Sequence, residues 1–449
     1  MKGKLTNTSD LGETPVHKLI LSYTSTSLIT LLLGSLYNLG DALFVSWGVG
    51  AEALGGVSAV LPFTLLQSAI STTLGGGSAT LVARHLGAGE KKNAARTAFN
   101  AMAAFYIAAL AVTALGLLLR EPLLTLLGPA QELRPYARTY LTIILIGNVF
   151  STGFSAVMRA EGKLRYATLQ WVLPISLNAI LDVLFVLVLK WGVAGSAWST
   201  VIGQALSFAM AMFYFARVSE LDFKGVRLRL RTVMDVLTTG LPSLVQQGAA
   251  ALGMAILNHL LAGAGGAPAQ TIYAFISKIY VFAILPFTAL TNGLSPVAAH
   301  NFGAQKPRRV RSAFGWACLF ALGVAAVFTA LCEALPGPLL RLFTVDAAVL
   351  AGGIPALRLL SASLPVMFLP MLAGVLFQAA GKKTASAALF ASALAPVLPL
   401  ALLGGRVWGV GGIWAAFPAS GLLATLFAGG MVIWFFRTLD YHPRADISI

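Results

Sequence analysis

Apolar residues run through this chain in long blocks, separated by short polar stretches that gather most of its charge. The blocks fall near 19–46, 54–82, 97–119, 135–158, 167–189, 193–216, 236–261, 269–299, 312–335, 353–379, 384–404 and 408–436. A helix needs roughly 20 apolar residues to cross the hydrocarbon core of a bilayer. None of the blocks shows the ~10-residue alternation of membrane strands, and in lipid only helices or closed barrels satisfy their own backbone. The pattern predicts an all-α integral membrane protein of twelve transmembrane helices. Composition agrees, with 57% hydrophobic residues, 10% charged and a mean hydropathy of +0.82. A soluble globular chain carries about 25% charged residues.

The pattern is stated twice. Gly77, Gly87 and Ala88 in GSATLVARHLGAG return 216 residues later as Gly293, Gly303 and Ala304 in GLSPVAAHNFGAQ. Trp191-Gly192-Val193 with Gly195 returns at an offset of 217 as Trp408-Gly409-Val410 with Gly412. AEGK at 160–163 returns at an offset of 219 as AAGK at 379–382. Matches at a nearly constant offset indicate a duplicated half. Six spans per half is an even number, so both halves enter the membrane with one polarity, as parallel repeats around a central cavity. The expected division is a cytoplasmic tail 1–18, an N-lobe 19–216, a cytoplasmic linker 217–235, a C-lobe 236–436 and a cytoplasmic tail 437–449.

The net charge of +15 is a topology signal rather than a nucleic-acid footprint. With the N-terminus in the cytoplasm, 23 of the 31 Lys and Arg fall on the cytoplasmic side, seven on the other, and Lys278 within a span. That bias orients proteins in the cytoplasmic membrane. The Lys224–Arg231 cluster sits between spans six and seven, positioned to touch anionic headgroups. Cys318 and Cys332 share one span and imply no disulfide framework. Gly75, Gly76 and Gly77 end a hydrophobic helix, and no GxxxxGK[ST] occurs, so nucleotide-driven pumping is not expected. No DDxxD occurs and the five His are scattered, which speaks against a membrane enzyme. The expected partners are the bilayer and small organic cations, with no cofactor, nucleic acid or nucleotide, and a monomeric chain.

Two of the sixteen acids, Asp41 and Asp182, lie well inside apolar spans. An Asp at a helix centre costs roughly 2.5–3.5 kcal/mol on insertion scales, so such a residue reads as functional. Asn178 precedes Asp182 by four residues, and Tyr37 stands in the same relation to Asp41, with Asn38 three before it. Residues so spaced share a helix face. Thr200 adds a hydroxyl one span later. Carboxylate, amide oxygen and hydroxyl suit a hard cation such as Na⁺ at Asp41, Asn178, Asp182 and Thr200, and a desolvated carboxyl suits a proton equally. In the second half Asn258, followed by His259, takes the place of Asp41, and Val397-Leu398-Pro399-Leu400 takes that of Asp182. Gln246, Asn258, Lys278 and Asn292, with Tyr140 and Tyr273, either line a substrate cavity or pack between helices.

With these residues in view, SLYNLGDALFV, EALGGVSAVLPF and ATLVARHLGAGEKKNA resemble the multidrug and toxic compound extrusion (MATE) family, nearest its DinF-like or MepA-like branch. LNAILDVLFV, WGVAGSAWSTVIGQ, ISKIYVFAILPF and GLSPVAAHNFGAQKPRRV are similar to the same branch, so the likeness runs from about residue 15 to 435. The resemblance implies an antiporter that expels organic, often cationic compounds in exchange for H⁺ or Na⁺. It also implies a cation site of two aspartates, an asparagine and a threonine, matched here by Asp41, Asp182, Asn178 and Thr200, with Tyr37 matching too. One position departs: the family's usual proline, fifteen residues before the first aspartate, is Thr26, while its second-half counterpart Pro242 is kept. The alternative within the wider superfamily is a flippase for a lipid-linked saccharide. Such a protein wants a cavity rich in Arg and Lys, and the interior here offers Lys278 against two acids.

Overall fold

The computed structural model describes residues 10–127, 131–151, 154–341, 347–393 and 395–441. Among the described residues there is no strand. Twelve long helical passes follow one another among these residues, the first three being α1 (Val16–Gly48), α2 (Ala51–Ala59 continued by Leu61–Gly87) and α3 (Lys91–Leu118). Next come α4 (Arg134–Gly147, a 3-10 turn Asn148–Phe150, then Ser155–Ala160), α5 (Leu164–Asp182, widening into π-helical turns over Val183–Val188) and α6 (Val193–Arg217). The second half supplies α7 (230–265) and α8 (267–303), parted at Gly266, and α9 (Pro307–Ala334). It closes with α10 (Ala347–Ser361 continued by Leu364–Ala379), α11 (Lys383–Ser392 and 397–408) and α12 (410–441), the last two parted at Gly409.

The apolar blocks predict twelve spans, and several of the passes are broken. Among the described residues eight helical stretches are long and apolar enough alone to cross a bilayer, one of them holding both α11 and α12. The α10 pair is a ninth, bent by 43°. Pro365 opens its second segment, and a proline supplies no N–H to the turn before it. The block at 135–158 is interrupted by the 3-10 turn at Asn148. Apolar length alone does not register such breaks.

The turns are duplicated as faithfully as the helices. Gly50, Gly89 and Gly192, all with positive φ, return as Gly266, Gln305 and Gly409 at offsets of 216 or 217. Gly162 returns as Gly381 at 219. Gln305 holds this conformation with a side chain, at a cost of about 1 kcal/mol that Gly89 avoids. The short helix Arg120–Leu127 returns at 216 as Pro336–Arg341, with Leu124 and Leu340 both wholly buried.

Two compact units emerge, and they do not coincide with the sequence halves. Unit one takes Ile29–Gly240, and unit two takes Gly12–Leu28 together with Leu241 onward. The opening turns of α7 therefore belong to unit one, and those of α1 to unit two. Glycines make both placements possible. A Cβ on Gly240 would lie 1.9 Å from the Thr73 carbonyl oxygen, and one on Gly77 would lie 2.2 Å from that of Val236. In unit two, a Cβ on Gly293 would meet Thr24 at 2.8 Å. Gly293 and Thr24 each stand 216 positions from Gly77 and Gly240, so one close crossing is built twice.

Unit one is cored by Val45, Val57, Phe63, Leu141, Leu145, Val193 and Val201, and unit two by Leu257, Leu261, Ile276, Leu357, Leu360, Ile413 and Trp414. Large apolar side chains also point outward: Trp47, Leu118, Leu126, Trp408 and Leu426 are each more than two-thirds exposed. Lipid covers such a surface; in water it would be a liability. Within unit one, the chain leaving α6 is tied to the α4–α5 turn through Glu161, a wholly buried carboxyl. It accepts from Tyr214 Oη at 3.0 Å, Ser219 Oγ at 2.9 Å and the Glu220 amide at 3.2 Å. Burial pushes the Glu161 carboxyl above the usual range, against the pull of these donors.

Candidate functional site

Three helices of unit one each deliver a pair of polar side chains one turn apart. Tyr37 and Asp41 come from α1, Asn178 and Asp182 from α5, and Ser196 and Thr200, with Ser199 between them, from α6. Spacings of three and four residues put each set on one helix face. The α5–α6 contact is close because glycines line it. A Cβ on Gly203 would lie 3.2 Å from the Pro174 carbonyl oxygen, and one on Gly195 would lie 3.0 Å from the Phe185 backbone. Asp182 is the last residue before α5 widens, and Leu189 N bonds Leu184 O at 2.8 Å, five residues back. Such widened turns recur at functional positions because they re-aim side chains.

The hydrogen bonds describe an oxygen-lined nest. Ser196 Oγ donates to Asp41 Oδ1 at 2.8 Å. Ser199 Oγ lies against Asp182 Oδ1 and also 2.7 Å from the Ser196 carbonyl oxygen, so its single proton serves one of them at a time. Asn178 Nδ2 reaches Ser199 Oγ and Thr200 Oγ1, both at 3.4 Å, and Tyr37 Oη stands 3.4 Å from the same Thr200 hydroxyl. Asp182, Ser196 and Ser199 are wholly buried and Asn178 nearly so, while Asp41, Thr200 and Tyr37 are half-buried. The two carboxyls interact electrostatically with each other and with the Tyr140 ring hydroxyl.

Among the described residues, no donor reaches two buried acceptors in this nest, Asn178 Oδ1 and Asp182 Oδ2, while the Asp41 and Asp182 carboxyls stand close enough to share a proton. A buried acceptor left unpaired costs about 1–3 kcal/mol, more when charged. The pair therefore marks where a donor or a cation fits. A proton on Asp182 turns one acceptor into a donor. Carboxylate, amide and hydroxyl oxygens are the ligand types a hard cation takes, and among the described residues no group of three or more His, Cys, Asp or Glu gathers anywhere.

The residues named from sequence divide between the two units. Asp41, Asp182, Asn178, Thr200 and Tyr37 come together in unit one, and Tyr140, 8% exposed in that unit's core, lies within electrostatic reach of both acids. Gln246, Tyr273 and Asn292 are half-buried in unit two. Tyr273 packs its ring 6.1 Å from Trp414 in the apolar core there. The side chains of Asn38, Asn258, His259 and Lys278 lie outside the described residues. Ser196 and Ser199 were not singled out from sequence, although Ser196, Ser199 and Thr200 stand at the i, i+3, i+4 spacing of one face. At Thr26 the hydroxyl donates to the Ser22 carbonyl oxygen, four residues back, at 2.7 Å. This is the weaker, hydroxyl-based way of disturbing a helix ladder.

The fold has counterparts among known proteins. One solved structure, described as the outward-facing conformation of a multidrug resistance MATE family transporter of the MOP superfamily, superposes with a TM-score of 0.90 at 23% identity, over 98% of this chain and 100% of that one. A MOP superfamily transporter from Pyrococcus furiosus superposes with a TM-score of 0.88 at 23% identity, over 97% and 98%. These likenesses show the fold. In sequence, the chain is 25% identical to an FAD transporter of Shewanella oneidensis over 91% of its own length and 92% of that protein's. It is 22% identical to the multidrug export protein MepA of Staphylococcus aureus over 95% of each. A probable multidrug resistance protein of Bacillus subtilis, YpnP, is 28% identical over 60% of this chain and 61% of its own. The MatE family pattern matches residues 27–184 and 242–403, the greater part of both halves, and the chain belongs to the MatE family of membrane transporters.

Proposed function

We propose that the chain is a secondary antiporter that exports organic compounds, chiefly lipophilic cations, in exchange for H⁺ or Na⁺. The observation that carries this reading is the buried pair of unpartnered oxygens, Asp182 Oδ2 and Asn178 Oδ1, beside a second carboxyl, Asp41. In a cation-loaded state Asp182 is neutralised by a proton, or Asp41, Asn178, Asp182 and Thr200 hold Na⁺. In the unloaded state two carboxylates face each other in a partly buried site, and they attract a cationic cargo. Exchanging one state for the other couples the two flows. The names of the multidrug relatives support an organic cargo. That of the Shewanella relative brings a flavin dinucleotide among the compounds to be tried.

In this reading the protein sits in the cytoplasmic membrane as a monomer with both termini in the cytoplasm, and it needs no cofactor. The decisive experiment loads proteoliposomes with a fluorescent organic cation, or with FAD, and imposes pH and sodium gradients separately. Efflux that follows one gradient, and that stops in the Asp41→Asn and Asp182→Asn double variant, is the expected result. Gradient-driven efflux that survives both substitutions removes the acids from the mechanism. A lipid-linked saccharide cargo predicts no dye efflux and a defect in surface polysaccharide instead.

A further inference from the structure

Where α3 gives way to α4, three arginines of unit one converge on a single carboxylate. Arg138 Nε lies 2.9 Å from Glu121 Oε1, Arg120 Nε lies 3.5 Å from the same atom, and Arg134 Nη2 lies 3.4 Å from Oε2. Three guanidinium groups meet that one carboxylate, and with Glu132 counted the segment 120–138 keeps a net positive charge. Their donors are not used up either. Among the described residues, Glu121 Oε1, approached by two of the arginines, receives no aligned hydrogen bond, and buried Arg120 Nε has no acceptor. Exposed Arg–Glu contacts of this kind are worth only about 0–1 kcal/mol.

The surroundings place the cluster at the edge of the lipid-facing surface. Leu118 and Leu126 flank it at 79% and 83% exposure, with Leu119 at 50%. Apolar side chains left this bare belong in hydrocarbon, which sets the arginines beside them at headgroup depth. The duplicated fold shows that the turn does not need the charges. At an offset of 216, Arg120, Arg134 and Arg138 become Pro336, Leu350 and Ile354, yet the short helix of unit two packs in the same way.

We propose that Arg120, Arg134 and Arg138 form a docking site for the phosphate of an anionic phospholipid. The planar guanidinium fork matches phosphate oxygens in pairs, where a lysine offers only a point charge. A phosphodiester's single negative charge adds to that of Glu121 without overfilling the site. In the topology proposed above, the cluster faces the outer leaflet and includes three of the seven Lys and Arg on that side.

The test uses the full-length protein and reads lipid retention, which does not depend on transport. The wild type and the Arg120→Gln, Arg134→Gln, Arg138→Gln triple variant are purified from mixed phosphatidylcholine and phosphatidylglycerol vesicles. Bound lipid is then counted by native mass spectrometry. The wild type should retain phosphatidylglycerol preferentially, and each arginine removed should weaken retention about fivefold. Glu121→Gln, which removes the competing carboxylate, should strengthen it. Equal retention by the wild type and the triple variant overturns the proposal. Where the triple variant fails to fold, Glu121→Gln decides, since unchanged or weaker retention overturns it and stronger retention supports it. Inorganic phosphate should leave the thermal stability of the detergent-solubilised wild type unchanged. Stabilisation by phosphate alone, lost in the triple variant, makes this a free-phosphate site and also overturns the lipid assignment.

Discussion

Around the Trp191-Gly192-Val193 turn, α5 and α6 carry Asn178, Asp182, Ser196, Ser199 and Thr200; around Trp408-Gly409-Val410, the same positions of α11 and α12 are Ala395, Pro399, Ile413, Ala416 and Phe417. The two hairpins share their turn conformation, φ 64° at Gly192 and 58° at Gly409. In unit one the facing surfaces form the oxygen nest. In unit two Ile413 and Ala416 are buried in the hydrocarbon core with Val397, Ala401 and Trp414. The hairpin therefore folds without polar groups. Its first copy keeps one costly carboxyl, Asp182, and two oxygens that meet no donor among the described residues, which the proposed exchange of a cation would use.

This contrast can be broken most sharply at Asp182. Asp182→Asn should reduce gradient-driven accumulation in vesicles to leak levels, a loss of several tens-fold. Each charge moved through 100 mV supplies about 2.3 kcal/mol, and the variant forfeits it. Adding Pro399→Asp in unit two should not restore transport. Accumulation retained by Asp182→Asn would erase the distinction between the hairpins.

The stability side comes next. Ile413→Ser should cost about 2–5 kcal/mol, because it removes buried apolar atoms and leaves a cavity. Its counterpart Ser196→Ala should cost far less and should instead shift the cation concentration at half-maximal transport. Thermal unfolding in detergent, paired with transport titrations, separates the two effects. Packing at the turn gives a smaller difference. A Cβ on Gly412 would lie 2.0 Å from the Gly404 carbonyl oxygen, whereas one on Gly195 would meet Phe185 at 3.0 Å. Gly412→Ala should destabilise by about 1–3 kcal/mol, and Gly195→Ala by less.

The smallest effect is a pH dependence outside the membrane, at acids that only the first half possesses. Glu161 is replaced by Ala380 in the second copy, and Glu90 by Lys306. With its pKa raised by burial, folded Glu161 holds a proton that the unfolded chain has already lost. Its contribution to stability therefore falls as pH climbs from the ordinary carboxylate range through the raised value. Glu90 behaves oppositely. Hydrogen bonds from Asn93 and then His85 hold its carboxyl below the usual range, so its contribution is present above that range and is lost as pH falls through the lowered value. Melting curves across acid pH should flatten on the alkaline side in Glu161→Gln and on the acid side in Glu90→Gln.

Much of this was legible in the residue order. Apolar blocks of bilayer length have few ways to satisfy their backbone, so twelve helices and their pairing into two copies followed from spacing. Asp41 and Asp182 stood out because a carboxyl in an apolar span is expensive. Ser196 and Ser199 did not, because hydroxyls in apolar helices routinely bond back to their own carbonyls, as Ser199 and Thr200 also do here. Nothing in their identity says that they also face an acid on another helix.

Side-chain chemistry thus reads directly wherever its placement is costly, for the cost itself is the signal. Contacts between distant segments carry no such mark. That α7 opens inside unit one and α1 inside unit two, that Tyr140 stands with the acids, and that Asp182 Oδ2 meets no donor all depend on which helix faces approach. Those approaches are set by glycines such as Gly203 and Gly240, whose missing side chains matter only once a neighbouring backbone arrives.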